Sequence, residues 1–227
     1  MNPITLDIET VAIDDVSTYL VEPVNAPDNW KDPVKIAAYI AEAKAKQLEQ
    51  AALDIDLAQV IALGIKDGDK PTQVLTAEHF PEREMLGELW SIWNHYTRTG
   101  TPMLVTYNGV SYDVPLLLRR SMYLDVKAPK ISCDKYRHSS QQIDLMAILS
   151  LNGSKKYRGL QFYLARLGYP HGGTDITGAD IAKAYADKDW AAIAQHCRMD
   201  VEATAWLAER IGAVPKRQPV TEAAGAF

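Results

Sequence analysis

Two acidic residues near the start of the chain are separated by a single residue on a predicted strand. Asp7 and Glu9 lie in the segment Leu-Asp-Ile-Glu-Thr, at the end of a strand predicted to begin at residue 3. Side chains along a strand alternate between its faces, so both carboxylates point to the same face. Such a pair repels itself and loses solvation on burial, and a fold seldom keeps it without a cation or water. The first strand therefore predicts a site that neutralises two acids.

Two further acids stand in patterned segments that could bring them into the same cleft. Asp113 ends the segment Asn108-Gly-Val-Ser-Tyr-Asp, and Asp200 follows His196 by four residues. Positions i and i+4 share one face of a helix, so His196 and Asp200 would lie together. Four carboxylates in one cleft would form a cage of oxygen ligands, which suits Mg²⁺ or Mn²⁺ rather than zinc.

Each of these residues also has a plainer interpretation. Asp7 and Glu9 could form a turn at the end of a strand, and Asp113 could cap the helix that follows it. Asp200 could be an ordinary acid on a helix surface, and His196 could be a partly buried histidine held by hydrogen bonds. The residues taken singly leave these alternatives open.

Length and composition predict a single globular domain. The chain has 227 residues, of which 47% are apolar and 23% are charged, enough to bury a substantial core. No apolar run approaches the roughly 20 residues of a membrane span, and the start lacks a basic segment followed by an apolar one. Cys133 and Cys197 provide no disulfide framework, which favours a reducing cytoplasm. The spacings of Cys133 to His138 and of His196 to Cys197 match no common zinc site.

Charge is unevenly distributed along the chain. The net charge is −5, but residues 119–158 hold nine basic residues against three acids, so this segment carries +6 and the remainder −11. A basic stretch beside an acidic, metal-loaded centre predicts a track for the phosphates of a nucleic acid. A solvated surface is the alternative for any single member. The nine are Arg119, Arg120, Lys127, Lys130, Lys135, Arg137, Lys155, Lys156 and Arg158.

Hydrophobic periodicity predicts alternating strands and helices. Apolar runs predict strands over 3–8, 59–66, 73–76 and 103–107, the second and third joined as an antiparallel hairpin. Helical spacing predicts one helix from Asp32-Pro33 to about Leu53, and others over 82–97, 113–122, 142–149, 160–167, 178–186 and 189–211. Two segments lack a period: residues 11–31, which predict a loop, and residues 213–227, which predict a flexible tail.

This order of elements resembles the ribonuclease H-like fold, and more narrowly the DEDD superfamily of 3′–5′ exonucleases. Residues 6–10 are similar to the first exonuclease motif of family B polymerase proofreading domains, residues 108–113 to the second, and residues 196–200 to the third. Gly159-Leu160, Leu167-Gly168 and Asp200-Val201 are also similar to free-standing, polymerase-B-like exonucleases of bacteria and phages. The resemblance implies an α/β protein with a mixed sheet flanked by helices, forming one domain over 1–212 with an insertion at about 11–55.

The third motif departs from the family pattern. The family divides by the partner of the last aspartate, which is a tyrosine four residues before it or a histidine five residues before it. Here His196 stands four residues before Asp200. The spacing is therefore that of the tyrosine class, and the residue is that of the histidine class.

The resemblance implies a catalytic site that holds two divalent ions, Mg²⁺ or Mn²⁺. Asp7 would bridge both ions, and Glu9 and Asp200 would complete the site of the attacking water. Asp113 would hold the second ion. His196 would orient or deprotonate the attacking water, a task that the near-neutral pKa of a free histidine suits.

Residues around the acids are expected to hold the substrate. Thr10 would contact the terminal 3′ hydroxyl, and Asn108 would fix the loop of the second motif. Tyr112 would stack on a base, or could equally be a core aromatic. Asp144, in Ile-Asp-Leu, is similar to a family element of lesser role and is not expected to bind metal. The phosphates would be contacted by Lys155, Lys156 and Arg158.

The implied activity is metal-dependent 3′–5′ hydrolysis at single-stranded or frayed DNA ends. Replication or repair would be its setting, in the cytoplasm of a bacterial or phage-infected cell. A separate polymerase is a candidate partner, and no membrane partner is expected. Two alternatives stay open. One is an exoribonuclease that trims RNA 3′ ends, since nothing visible reads or rejects a 2′-hydroxyl; the other is a nuclease-like binding module without turnover.

Overall fold

A mixed five-stranded sheet forms the centre of the computed structural model, which describes residues 2–19, 24–134, 141–170 and 176–215. The strand order is β3-β2-β1-β4-β5. β1 pairs antiparallel with β2 and parallel with β4, and β5 extends the sheet in parallel to β4. The strands are β1 (Asn2–Ala12), β2 (Ala58–Asp67), β3 (Gln73–Thr76), β4 (Pro102–Thr106) and β5 (Gln142–Asp144).

Seven α-helices in the described residues accompany this sheet. Their bounds are α1 (Pro33–Ala51), α2 (Glu82–Thr99), α3 (Asp113–Tyr123), α4 (Leu145–Leu149), α5 (Leu160–Leu167), α6 (Ile181–Ala186) and α7 (Trp190–Arg210). The predicted start of α1 is confirmed: the Asp32 carboxylate accepts hydrogen bonds from the N–H groups of Val34 and Lys35, with Pro33 at the first helical position. Among these helices none is both long and apolar enough to span a lipid bilayer.

Alternation along β1 sorts its side chains between two helical layers. Ile4, Leu6 and Ile8 are buried in the large core that also holds the α2 tryptophans Trp90 and Trp93. The odd-numbered face, with Asp7, Glu9 and Val11, turns towards α6 and α7; Val11 packs there with Ile181, Ile193 and Cys197. This arrangement of helices on both faces of a mixed sheet confirms the predicted α/β fold and sets two acids against the last helix.

Two segments differ from the predicted secondary structure, and the predicted tail lies mostly outside the described residues. Residues 142–144, predicted as the start of a helix, form the edge strand β5, because they pair with Leu104–Thr106 of β4. The first strand continues to Ala12, four residues beyond its predicted end, and a 3₁₀ turn covers Val16–Thr18 within the predicted loop. Of the predicted tail, residues 216–227 lie outside the described residues, and Val214 is buried against α7.

Candidate active site

The paired acids of the first strand lie on one face, as their spacing predicts. Glu9 is buried and Asp7 is partly buried. A carboxylate oxygen of each lies within 4.8 Å of the other and of the Cys197 sulfur. Burial raises the pKa of Asp7 well above its ordinary value, and the charges of Glu9, Asp113 and Asp200 raise it further. All four predicted acids therefore converge on one point.

Cys197 belongs to the wall behind this point. Its side chain is fully buried, and its thiol donates to the Asp7 carbonyl oxygen at 3.6 Å. Burial, and then the neighbouring carboxylates, raise the pKa of the thiol well above its ordinary value. A thiol kept protonated is a poor metal ligand, so the donors that suit a cation here are the carboxylate oxygens.

A glycine lets the last helix approach the first strand closely. Gly64 on β2 lies directly opposite Asp7 in the β1–β2 ladder. A Cβ atom at Gly64 would lie 2.6 Å from Val201 Cγ2 and 2.9 Å from Cys197 Sγ, closer than real contacts allow. The glycine therefore allows α7 to lie close over the acids. The β1–β2 ladder also shifts register between Glu9 and Thr10, an irregularity of a kind that is frequent next to active sites.

The last helix delivers His196 and Asp200 to the same cleft. His196 Nε2 lies 3.7 Å from Glu9 Oε1 and 3.8 Å from Asp200 Oδ2. The histidine side chain is only 9% exposed, whereas that of Asp200 is 26% exposed and reaches towards solvent. Burial raises the pKa of Asp200, and His196 partly offsets this. The i, i+4 spacing thus brings the imidazole between two of the acids.

Asp113 enters from the opposite helical layer as the first residue of α3. Tyr112 occupies the N-cap position, and no side-chain hydrogen bond caps this helix. The alternative prediction, that Asp113 caps the helix, is therefore wrong. Burial raises the pKa of Asp113 to about 7; its own backbone N–H lowers it, and the charge of Asp144 raises it. A buried acid whose pKa is raised this far is typical of functional sites.

Asp144 holds the loop that precedes Asp113. One of its carboxylate oxygens accepts from the N–H groups of Asn108 and Ala147, both at 3.1 Å, and the other from the N–H of Val110 at 3.0 Å. It therefore caps α4 and fixes the second-motif loop, in which Asn108 adopts a φ of 70°. The resemblance implied only a lesser role for Asp144. The signal for its capping role was an aspartate directly before the apolar residues 145–149, since aspartate is a preferred N-cap.

Thr10 and Tyr112 meet at a single backbone carbonyl. The hydroxyls of Thr10 and Tyr112 lie 2.8 Å apart, and both lie within 2.9 Å of the Ala52 carbonyl oxygen. Burial raises the pKa of Tyr112 to about 12, so its hydroxyl stays protonated. The ring packs against the main core, as the core alternative for this residue requires. The contact ties the first two motifs to the end of α1.

The predicted basic track divides into two groups. Arg120 is buried and forms a two-pronged ion pair with Glu82, at 2.6 and 2.8 Å, and Arg119 lies 3.5 Å from Asp56. The prediction of Arg120 as part of a phosphate track is therefore wrong, because a buried guanidinium requires a fixed partner. Lys135 and Arg137 lie outside the described residues. The exposed members between α4 and α5 are Lys155, Lys156 and Arg158.

Comparison with known proteins places this site in a family. Residues 52–215 match the family described as "Predicted 3′-5′ exonuclease related to the exonuclease domain of PolB". The chain belongs to this exonuclease family. The match includes Asp113, His196 and Asp200, while the strand with Asp7 and Glu9 precedes it. A comparison with curated protein sequences finds no match.

A solved structure shares the fold of this family member. The family B DNA polymerase from the hyperthermophilic archaeon Pyrobaculum calidifontis is similar, with a TM-score of 0.62 and 18% identity over 93% of this chain. The similar part spans 24% of the polymerase chain. At this identity the likeness concerns the fold, which is that of a polymerase exonuclease domain and hence ribonuclease H-like.

Proposed function

We propose that this chain is a metal-dependent 3′–5′ exonuclease that hydrolyses phosphodiester bonds at single-stranded or frayed DNA 3′ ends. The observation that carries the proposal is the convergence of four acids from three elements. Carboxylate oxygens of Asp7 and Glu9 lie within 4.8 Å of each other, and His196 Nε2 lies 3.7 Å from Glu9 and 3.8 Å from Asp200. After burial, the charges of Glu9, Asp113 and Asp200 also raise the pKa of Asp7, as expected for four neighbouring carboxylates. Membership of a predicted exonuclease family supports the same activity.

The donor set fits hard divalent cations such as Mg²⁺ or Mn²⁺. Like charges that are buried together need a counter-charge to stay ionised at neutral pH, and carboxylate oxygens are the preferred ligands of both ions. Asp7, Glu9, Asp113 and Asp200 would hold two such ions. When bound, a metal pair lowers the pKa of a water and neutralises charge on the phosphate.

His196 is suited to handle the proton of the attacking water. Its Nε2 faces Glu9 and Asp200 at 3.7 and 3.8 Å, a spacing that leaves the imidazole within reach of a water lying between the two carboxylates. A neutral imidazole accepts a proton, and the two acids stabilise the cation that results. His196 would therefore perform at the tyrosine spacing the task of the histidine class.

Residues around the acids would bind the strand. Thr10 and Tyr112 adjoin Glu9 and Asp113 in the chain and would contact the terminal nucleotide, Tyr112 through its hydroxyl edge because its ring packs in the core. Asn108 lies at the start of the loop that holds Tyr112. The exposed cations would contact phosphates: Lys155, Lys156 and Arg158. Such contacts do not distinguish bases, which fits an enzyme that degrades strands of any sequence. Replication or repair, in trans to a separate polymerase, is the setting that this activity would serve.

Hydrolysis of end-labelled strands tests the activity and its polarity. Wild-type protein with Mn²⁺ should shorten single-stranded DNA from its 3′ end, and EDTA should stop it. Asp7→Ala and Asp200→Ala should abolish cleavage while the proteins remain folded by circular dichroism. Full turnover by either variant would contradict the two-metal assignment. Faster cleavage of RNA than of DNA would favour the RNA-trimming alternative, and binding without cleavage would favour the binding module.

Salt dependence tests the phosphate contacts separately. Binding of single-stranded DNA, measured in Ca²⁺ to suppress cleavage, should weaken steeply with salt. The test variant reverses the charge of Lys155, Lys156 and Arg158. Each phosphate contact that this variant loses should reduce the slope of log K against log salt by roughly 0.7. A slope equal to that of the wild type would assign the phosphate contacts to other residues.

A further inference from the structure

A cavity of about 260 Å³ opens beside the second-motif loop. One wall is this loop, with Asn108 and Ser111, and the other is the turn after α4, with Asn152, Gly153 and Tyr157. The side-chain amides of Asn108 and Asn152 have no hydrogen-bond partner in the part of the chain that the structure describes. Two unengaged amides in one cavity offer both donors and acceptors to a planar polar ligand.

The turn that forms the outer wall holds a strained backbone. Leu151, Asn152 and Gly153 have consecutive φ values of 52°, 54° and 83°, and a left-handed leucine is uncommon. The Asn152 N–H donates to the Ala147 carbonyl at 2.7 Å, and the Gly153 N–H to Ser150 Oγ at 3.1 Å. Strain of this kind, held by hydrogen bonds, is concentrated at binding and catalytic sites.

Gly153 allows an aromatic ring to close the cavity. A Cβ atom at Gly153 would lie 2.4 Å from the Tyr157 hydroxyl, so the glycine lets the hydroxyl pack directly on the turn, and its φ of 83° also favours glycine. Tyr157 nevertheless stays 55% exposed. Beyond it, the Arg158 guanidinium lies 4.6 Å from the centre of the Phe162 ring, which is itself 41% exposed. Exposed rings between cations are the usual platform for a single strand.

The place of the cavity in the sheet relates it to the acids. Asn108 follows β4 and Asp144 ends β5, while Asp7 lies on β1, and these three strands are parallel neighbours in the order β1-β4-β5. Neighbouring strands lie about 4.8 Å apart, so the loops after β4 and β5 that form the cavity stand one and two strands to the side of the acid pair. Thr10, proposed to contact the terminal 3′ hydroxyl, lies on β1, so the cavity beyond β4 is placed for the nucleotide that precedes the scissile phosphate.

We infer that this cavity binds a nucleobase on the 5′ side of the scissile bond, stacked on Tyr157 and hydrogen-bonded by the amides of Asn108 and Asn152. The inference rests on the proposed exonuclease function and adds a subsite to it. Amides can present either a donor or an acceptor to a base edge, so the subsite accepts all four bases. Its role is to hold the strand after each terminal nucleotide leaves.

Abasic substrates test the subsite directly. Single-stranded oligonucleotides carry one abasic nucleotide at successive positions from the 3′ end, and kcat/KM is measured for each. For the wild type, one internal position should lose about tenfold or more, the order of one base–aromatic stack. Tyr157→Ala and Asn152→Gly should lower kcat/KM on intact strands and lose nothing further at that position. Phe80→Ala, which removes an exposed ring outside the cavity, should behave as the wild type does.

A small substrate separates this inference from the proposed function. The p-nitrophenyl ester of thymidine 5′-monophosphate has no base on the 5′ side, so both cavity variants should hydrolyse it at the wild-type rate. An equal loss on the ester and on the oligonucleotide would overturn the subsite, as would a wild-type abasic profile that Tyr157→Ala leaves unchanged. A wild-type protein that cleaves no strand at all would instead overturn the proposed function.

Discussion

Removal of the Asp113 charge is expected to stabilise the metal-free protein at neutral pH. Burial raises the pKa of this carboxyl from 3.8 to about 7, so the folded state holds its proton more tightly than the unfolded state does. The stability associated with this group is then complete below about pH 4 and falls as pH rises towards 7. The full shift corresponds to about 4 kcal/mol. Since the acids share their protons, we expect Asp113→Asn to recover about 1–3 kcal/mol.

Urea unfolding in EDTA at pH 4, 5.5 and 7.5 measures this effect. The free energy of unfolding of Asp113→Asn should equal that of the wild type near pH 4 and exceed it increasingly at higher pH. Asp14→Asn, which removes an exposed acid, should show a difference that is small at every pH. Mn²⁺ should stabilise the wild type more than the variant, because one of four donor carboxylates is gone. A variant less stable than the wild type at pH 7.5 would refute the reasoning.

Substitutions at Gly64, His196 and Asp144 test how the site is held. Gly64→Ala should reduce kcat at least tenfold and destabilise the fold by about 1–3 kcal/mol through overpacking. Activity and unfolding assays should detect neither effect in the control Gly87→Ala, because Gly87 has open space around it. His196→Ala should lower kcat by about 10²–10⁴-fold, and His196→Tyr should recover part of the rate. An alanine variant with normal turnover would make His196 structural. Asp144→Ala should weaken Mn²⁺ activation and lower kcat, because two N–H groups of the second-motif loop lose their acceptor; an unchanged Mn²⁺ titration would contradict this.

Local patterns predict most of the elements but not the pairings between distant segments. The cap at Asp32 and the shared face of His196 and Asp200 depend on residues within four positions, so the sequence displays them directly. Residues 142–144 were predicted as helix because their strand geometry comes from pairing with β4, nearly forty residues earlier. A three-residue edge strand carries too few side chains to display a period of two.

The sequence predicts the four acids of the site but not the residues that hold them in place. The acids can be recognised because metal binding requires several carboxylates in patterned segments. Arg120 and Asp144 do not, since an arginine looks the same in a sequence whether it faces a phosphate or the Glu82 carboxylate 38 residues away. Asp144 likewise serves backbone N–H groups 34 and 36 residues away, and backbone groups leave no trace in a sequence.

The Ala52 carbonyl links two motifs that lie about a hundred residues apart in the chain. The hydroxyls of Thr10 and Tyr112 make three short contacts there. Each hydroxyl has one proton to donate, so two of the three contacts are hydrogen bonds at any one time, and rotation of a hydroxyl changes which two they are without breaking the junction. Because the acceptor is a main-chain oxygen, the side chain at position 52 can change without loss of the contact. Inserting or deleting a residue just before it would shift the carbonyl and disturb both motifs at once. The length of this segment, rather than its composition, is therefore what the active site constrains.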